Sequence, residues 1–122
     1  MVIVGVDDLL FQSRIRAAAQ AIGAPIIFAR QRDALIAAIR DSQPSHVILD
    51  LDCHPLDPLG VIREIRLDPA LATLPLVGYA SHMHADLLQA ARDAGCDRVL
   101  ARSKFVAFLP ELIASVPGSS NA

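Results

Sequence analysis

Four aspartates follow two short apolar runs of the sequence. Asp7 and Asp8 come after VIVGV near the amino terminus, and Asp50 and Asp52 lie in the run VILDLD. Carboxylates that share one place repel each other, which raises their pKa values unless a cation lies between them. Mg²⁺ suits such a place because it binds through one or two carboxylates, keeps several waters and completes its shell with phosphate oxygens. The four residues therefore indicate a Mg²⁺ site that could also bind a phosphate-bearing substrate.

A second interpretation of these aspartates is purely structural. Asp7 and Asp8 would cap the first helix through their side-chain oxygens. Asp50 would then be the solvated end of a strand. The choice depends on whether the fold brings the two runs together.

The hydrophobic pattern predicts five short strands that alternate with five amphipathic helices. The apolar runs are VIVGV, IIFA, VILD, LVGYA and VLA, and the segments between them have apolar residues at helical spacing. This alternation is typical of a doubly wound α/β fold, in which a five-stranded parallel sheet is covered by helices on both faces. In such a fold the loops after the first and third strands lie at the same edge of the sheet, so all four aspartates should meet there.

Several details of the helices follow from local signals. Asp33 is predicted to cap the second helix, and Asp57 followed by Pro58 is predicted to begin the third, whose Arg66 should point outward. The last helix should carry Leu109, Leu112, Ile113 and Val116 inward, with Pro110 in its first turn.

Composition limits the function further. The chain has 122 residues, 53% hydrophobic content and a net charge of −2, which predicts one domain over residues 1–117, a tail over 118–122 and no direct nucleic-acid binding. Cys53 and Cys96 have no metal-ligand spacing and are expected to be reduced thiols. No segment reads as a signal peptide or a membrane span, so we expect a cytoplasmic protein without a membrane partner.

The order of these motifs resembles the receiver domain of two-component response regulators. The resemblance covers almost the whole chain and rests on VGVDD, VILDLD, LPLVGYAS and AGCDRVLAR. It implies a (βα)5 sheet with strand order 2-1-3-4-5. It also implies that Asp7 and Asp8 are the acidic pair that helps to hold Mg²⁺, that Asp50 binds the metal and accepts a phosphoryl group, and that Asp52 gives its main-chain carbonyl to the metal.

The resemblance also implies partners and an output. A histidine kinase or phosphotransfer protein would supply the phosphoryl group, and the chain would do no other enzymatic work than slow self-dephosphorylation. As a stand-alone receiver it would signal through contact with a downstream protein. The surface expected for this contact includes the fourth helix, the fifth strand and the last helix, with Leu88, Val106 and Phe108 as its apolar candidates, and the same face could form a homodimer.

The sequence departs from the receiver pattern at its switch positions. Arg102 and Ser103 replace the lysine and the cis-linked proline after the fifth strand, and Lys104 lies two residues beyond. Because a planar guanidinium differs from an ammonium, this replacement is not conservative. The switch hydroxyl position falls on Ala80, with Ser81 one residue later. A non-proline cis bond is also disfavoured by about 2.5–4 kcal/mol.

Two functional interpretations therefore remain, and a third is less favoured. In the first, Asp50 is phosphorylated and Arg102 replaces the lysine. In the second, the chain is a pseudoreceiver in which an Arg102–Asp50 pair imitates one fixed state and the domain acts through protein contact alone. The third is a cofactor-binding flavodoxin-like domain, which is disfavoured because Gly5 is isolated and Tyr79 is the only tyrosine.

Overall fold

The computed structural model describes residues 1–114 of the chain. Its five strands form one parallel sheet in the order β2-β1-β3-β4-β5, which confirms the predicted fold class and strand order. The strands are β1 Val2–Gly5, β2 Ile26–Ala29, β3 His46–Asp50, β4 Leu76–Ala80 and β5 Arg98–Ala101. The predicted domain end at 117, the tail and the inward position of Val116 lie outside the described residues.

Helices cover both faces of this sheet. They are α1 Leu9–Ala21, α2 Arg32–Ser42, α3 Pro58–Leu67, α4 Ala85–Ala94, α5 Arg102–Ala107 and α6 Leu109–Ala114, with a short 3-10 helix at His54–Leu56. The sequence predicted one helix after β5, whereas the structure has two, which meet at Phe108. Pro110 is the second residue of α6, in the first turn as predicted, where its missing N–H is tolerated.

Two apolar cores separate the helices from the sheet. On one face, Ile48 and Tyr79 of the sheet pack with Ile15 of α1, Phe105 of α5 and Leu112 of α6. On the other face, alternate strand residues such as Leu49 pack with α2, α3 and α4. The alternation of side chains along each strand thus assigns Ile48 and Leu49 to opposite cores, as period-2 geometry requires.

Two predicted helix caps are formed differently. Asp33 lies within the first turn of α2, behind the N-cap residue Gln31, so its charge complements the helix dipole instead of capping. Asp57 does occupy the N-cap of α3 ahead of Pro58, but its carboxylate bonds to Arg32 rather than to the helix. Gly60 permits this, because a Cβ there would lie only 2.2 Å from the Asp57 Oδ2 atom.

Arg66 does not point outward as the helical pattern predicted. Its side chain is only 20% exposed, and its Nε donates to the carbonyl of Gly95 at 2.9 Å. One terminal nitrogen donates to the carbonyls of Ala72 and Leu74, and the other pairs with Asp97 at 2.8 Å. The long aliphatic stem allows the guanidinium to reach the loop between α3 and β4. Arg66 thus joins α3 to the starts of β4 and β5 and to the end of α4.

Replacing Arg66 should therefore destabilise the fold. For Arg66→Ala we expect a loss of about 2 kcal/mol in the free energy of unfolding, because three partly buried carbonyls and Asp97 lose a charged donor. Urea denaturation followed by circular dichroism would measure it. Arg63→Ala, an exposed arginine of the same helix, is the matched control and should change stability by less than about 0.5 kcal/mol. Equal losses in the two variants would contradict this role for Arg66.

Candidate functional site

Asp50 lies at the carboxyl end of the central strand and faces the core shared with α1 and α5. Ile48 of the same strand belongs to that core, and Asp50 follows it by two residues. The residue is 6% exposed, and its Oδ1 atom accepts a 2.9 Å hydrogen bond from the Asp52 main-chain N–H. Among the described residues no donor bonds to the Oδ2 atom. One carboxylate oxygen is thus held by the chain while the other is available for chemistry.

The surroundings of Asp50 raise its pKa above the ordinary value. Burial is the main cause, and the charges of Asp52 and Asp8 add to it. The Asp52 N–H and the Arg102 guanidinium act in the opposite direction. The loop after β1 and the start of α5 thus both contribute charges that act on Asp50.

The acidic pair after β1 divides into two different roles. Asp8 is the N-cap of α1, and its Oδ1 atom accepts the main-chain N–H groups of Leu10 and Phe11 at 3.0 and 3.1 Å. Asp7 instead pairs with Arg30, at 2.8 Å between Oδ1 and Nε. The helix cap of the structural interpretation is therefore real for Asp8, and it uses only one of that residue's two carboxylate oxygens.

Asp52, not Asp50, is the carboxylate that connects the loops at this edge. Its Oδ1 atom lies 2.7 Å from Nδ1 of His84, and its Oδ2 atom lies 3.3 Å from both Arg102 Nη2 and the Ser81 main-chain nitrogen. The side chain is 23% exposed. Asp52 thus ties the loop after β3 to the loop after β4 and to the start of α5.

The Arg102–Asp50 pair expected for a pseudoreceiver is not formed. Arg102 is 45% exposed and extends over the ring of Phe11, with its guanidinium carbon 5.7 Å from the ring centroid. Asp50 is too deeply buried for an exposed guanidinium to reach it without losing water, so Arg102 pairs with the more accessible Asp52. Lys104 is exposed within α5.

Ser81 uses its hydroxyl within its own loop. β4 ends at Ala80, and the Ser81 Oγ atom accepts the main-chain N–H of Met83 at 3.2 Å. Its main-chain nitrogen, rather than the hydroxyl, is the part that contacts Asp52. The structure thus brings Ser81 to the site edge, where its oxygen accepts one hydrogen bond and its own hydrogen remains free to donate.

Sequence reasoning missed three contributors to this edge. The sequence patterns assign no role at the site to His84, Arg30 or Tyr79. No spacing rule links these residues to the aspartates, because each reaches the site from a different strand or loop. For Tyr79, the one signal in the sequence is an aromatic residue in β4 directly before Ala80, the switch hydroxyl position.

The oxygen atoms at this edge suit a metal ion that needs only a few ligands from the protein, not one that is coordinated by side chains alone. Within residues 1–114, no three His, Cys, Asp or Glu side chains surround one metal position. Asp8 and Asp50 each keep one carboxylate oxygen without a hydrogen bond from the described residues, and their charges act on each other. Two carboxylates and a carbonyl fit Mg²⁺, which keeps several of its waters when bound to proteins. Asp7 is turned toward Arg30 instead.

Comparison with known proteins gives no sequence match. No family model matches the chain, and no curated protein matches it. The similarities are to solved structures, and the three described below are 15–22% identical to this chain.

Three of these structures cover nearly the whole chain. The receiver domain of NtrX from Brucella abortus is 22% identical, with a TM-score of 0.81 over 98% of this chain and 100% of that one. The phosphorylated cyanobacterial phytochrome response regulator RcpA is 17% identical, with a TM-score of 0.83 over 98% and 95%. The Mn²⁺-bound form of response regulator Rcp1 is 15% identical, with a TM-score of 0.79 over 98% and 96%. This chain has the fold of a response-regulator receiver domain.

Proposed function

We propose that this chain is a receiver module that accepts a phosphoryl group on Asp50 from a histidine kinase or phosphotransfer protein. The observation that carries the proposal is the Asp50 carboxylate, whose Oδ2 atom has no donor among the described residues at the carboxyl end of the central strand. Ligands of open α/β sheets bind at this edge. The receiver fold supports the same conclusion, and one structural neighbour, RcpA, is a phosphorylated response regulator.

The chemistry is a direct displacement at phosphorus. An Asp50 oxygen attacks the phosphorus atom, the new O–P bond forms, and the bond from phosphorus to the donor breaks, so that the donor leaves with its electron pair. A phosphohistidine donor leaves as histidine and acetyl phosphate leaves as acetate. Hydrolysis of the resulting acyl phosphate by water restores Asp50 and releases inorganic phosphate. Ionised Asp50 is required for the first step.

Mg²⁺ is the cofactor proposed for this site. Asp8, Asp50 and the main-chain carbonyl of Asp52 would hold it, and Rcp1 shows that a protein of this fold binds a divalent ion. The ion would neutralise charge between the carboxylates and the incoming phosphoryl group. Asp7 is a weaker candidate for a metal ligand because its carboxylate already pairs with Arg30.

The output would pass through Arg102. A phosphoryl group on Asp50 adds negative charge and three acceptor oxygens, so it competes with Asp52 for the guanidinium. Release of Arg102 from Asp52 would loosen the link between α5 and the loop after β4. A partner protein would then contact the surface formed by α4, β5 and α5, where Phe108 is 44% exposed at the end of α5. Leu88, expected to contribute there, is buried instead.

A specific observation also favours the pseudoreceiver as a second candidate. Asp52 already holds His84, the Ser81 nitrogen and Arg102 together without any phosphoryl group. A domain fixed in this arrangement would present one constant surface to its partner, and Asp50 would have no chemical role.

Incubation with acetyl phosphate and Mg²⁺, followed by intact-mass spectrometry, separates the two candidates. The proposal expects the mass of one phosphoryl group to be added. No added mass after exhaustive incubation with acetyl phosphate and with a phosphorylated kinase would leave the pseudoreceiver as the function.

The metal assignment is tested by two matched variants in the same assay. Asp8→Asn keeps the oxygen that caps α1 but removes the charge, so the Mg²⁺ dependence of the phosphorylation rate should shift to concentrations about tenfold higher or more. Asp7→Asn should shift it much less. A larger shift for Asp7→Asn would show that Asp7 is the ligand.

A further inference from the structure

Tyr79 carries a buried hydroxyl that has no hydrogen-bond partner. The residue is completely buried in β4, and no described donor or acceptor bonds to its Oη atom. Buried polar groups in folded proteins are nearly always paired, and one left unpaired is unfavourable. A phenylalanine would fill the same space without this penalty, so the hydroxyl needs an explanation other than packing.

The fold directs this side chain to the face that carries Asp50. Tyr79 is the register partner of Asp50 in the neighbouring parallel strand, and register partners project to the same face. Its ring stacks on Phe105 of α5, with centroids 4.1 Å apart and planes 13° from parallel. Phe11 of α1 contacts the ring from another side, at 5.2 Å between centroids. The ring is therefore buried and held between the first turns of α1 and α5.

The charges around the hydroxyl are those of the candidate site. Burial raises the pKa of Tyr79 far above its ordinary value, and the negative charges of Asp50 and Asp8 raise it further, while Arg102 opposes them. The phenol therefore stays protonated and remains a hydrogen-bond donor. The hydroxyl is thus a buried donor with no partner among the described residues, on the face of the sheet that also carries Asp50.

We propose that the Tyr79 hydroxyl donates a hydrogen bond to the phosphoryl group carried by Asp50. This inference rests on the proposed function. It assigns a hydroxyl to a site where Ala80 offers none. The Ser81 oxygen accepts the Met83 N–H but keeps its own hydrogen, so Ser81 is the competing donor. Phosphorylation would add three acceptor oxygens to the residue that pairs with Tyr79 across the two strands, and one of them would satisfy the buried hydroxyl. Tyr79 is a binding residue in this role, because it touches the transferred group without taking part in bond making.

The composition provides a direct optical test. Tyr79 is the only tyrosine and there is no tryptophan, so the tyrosine absorption band of the protein belongs to this one residue. The wild-type chain would be phosphorylated with acetyl phosphate and Mg²⁺, and mass and near-ultraviolet absorption would be recorded on the same sample. We expect the tyrosine band to shift to longer wavelength in proportion to the added mass, as donation to an anion requires.

A substitution provides the second measurement. Beryllium fluoride imitates a phosphoryl group on a carboxylate, and its affinity in the presence of Mg²⁺ can be measured by calorimetry. Tyr79→Phe removes only the hydroxyl and should weaken this binding about tenfold, the loss expected for one hydrogen bond to a charged group. In the absence of ligand, its melting temperature should equal or exceed that of the wild type, because an unpaired polar group has been removed.

The possible outcomes are distinct. Added phosphoryl mass with an unchanged tyrosine band and equal beryllium fluoride affinity would overturn the role of Tyr79 and leave the proposed function intact. A loss of affinity in Ser81→Ala but not in Tyr79→Phe would overturn it in favour of Ser81. A lower melting temperature of unliganded Tyr79→Phe would also count against it, because the hydroxyl would then already be paired. If acetyl phosphate added no mass and beryllium fluoride did not bind, both proposals would be overturned.

Discussion

Asp50→Asn is expected to abolish phosphorylation completely while making the fold more stable. An amide has no anionic oxygen with which to attack phosphorus, so no phosphoryl mass should be added by acetyl phosphate or by a kinase. The same change removes a charge from a carboxylate that is only 6% exposed and has no ion pair of its own among the described residues. Asparagine still accepts the Asp52 N–H through its side-chain oxygen.

The gain in stability should depend on pH in a defined direction. Burial raises the pKa of Asp50 in the folded state, so the folded protein holds this proton more tightly than the unfolded chain does. Ionised Asp50 therefore costs stability above its folded pKa, and this cost disappears as the pH falls toward the unfolded pKa near ~3.9. At pH 7 the variant should therefore exceed the wild type in free energy of unfolding, and the two should converge as the pH falls to about 4.

Urea denaturation at pH 7 and pH 4, combined with intact-mass spectrometry, would check both halves. Asp41→Asn, an exposed aspartate at the end of α2 and far from the site, is the control: it should keep phosphorylation and change stability little. A destabilised Asp50→Asn would mean that the carboxylate is held by favourable contacts, contrary to the raised pKa. Phosphorylation that persists in Asp50→Asn would place the acceptor on another residue.

Phe105→Ala is expected to cost about 3–5 kcal/mol of stability. Phe105 is fully buried in the core beneath α5, stacks on Tyr79 and lies 5.9 Å from the Phe11 ring. Truncation removes this contact area and leaves a cavity between β4 and two helices. The start of α5, which carries Arg102, would lose its anchor on the sheet, so the Arg102–Asp52 contact should weaken as well.

Phe108→Ala is the matched control for this prediction. Phe108 lies three residues further along, at the break between α5 and α6, and is 44% exposed. Its truncation should cost about 1 kcal/mol or less, because much of its surface is already in water. Thermal denaturation of both variants would compare them. Similar losses would contradict the assignment of Phe105 as the residue that holds α5 to the sheet, and weaker partner binding by Phe108→Ala alone would support the proposed contact surface.

The hydrophobic pattern of the sequence predicts the strands but not the ion pairs at the site. The pattern of apolar runs predicted all five strands, because burial between two helix layers requires short continuous apolar segments. It also placed Asp50 at the end of the central strand. It could not tell that Asp52 rather than Asp50 would pair with Arg102, because that choice depends on how deeply each carboxylate lies below the surface.

Long side chains were the main source of error in the helices. Arg66 was predicted to face water because helical spacing sets only the direction of its Cα–Cβ bond. The structure shows the guanidinium turned back to the carbonyls of Ala72, Leu74 and Gly95. Asp57 occupies the N-cap of α3 as predicted, but its carboxylate bonds to Arg32 of a neighbouring helix. In both cases the partner is distant in sequence, so no local rule could name it.

The sequence by itself determined the α/β class, the alternation of elements and the sheet edge that carries the aspartates, because these depend on hydrophobic period and on the rules that govern parallel sheets. The tertiary structure alone decided which polar atoms are paired there. It turned Asp7 toward Arg30, used one Asp8 oxygen as a helix cap and joined Asp52 to Arg102. It also left the Tyr79 hydroxyl unpaired, since hydrogen bonds at the site are made between elements whose distances and burial exist only after the sheet and helices have packed.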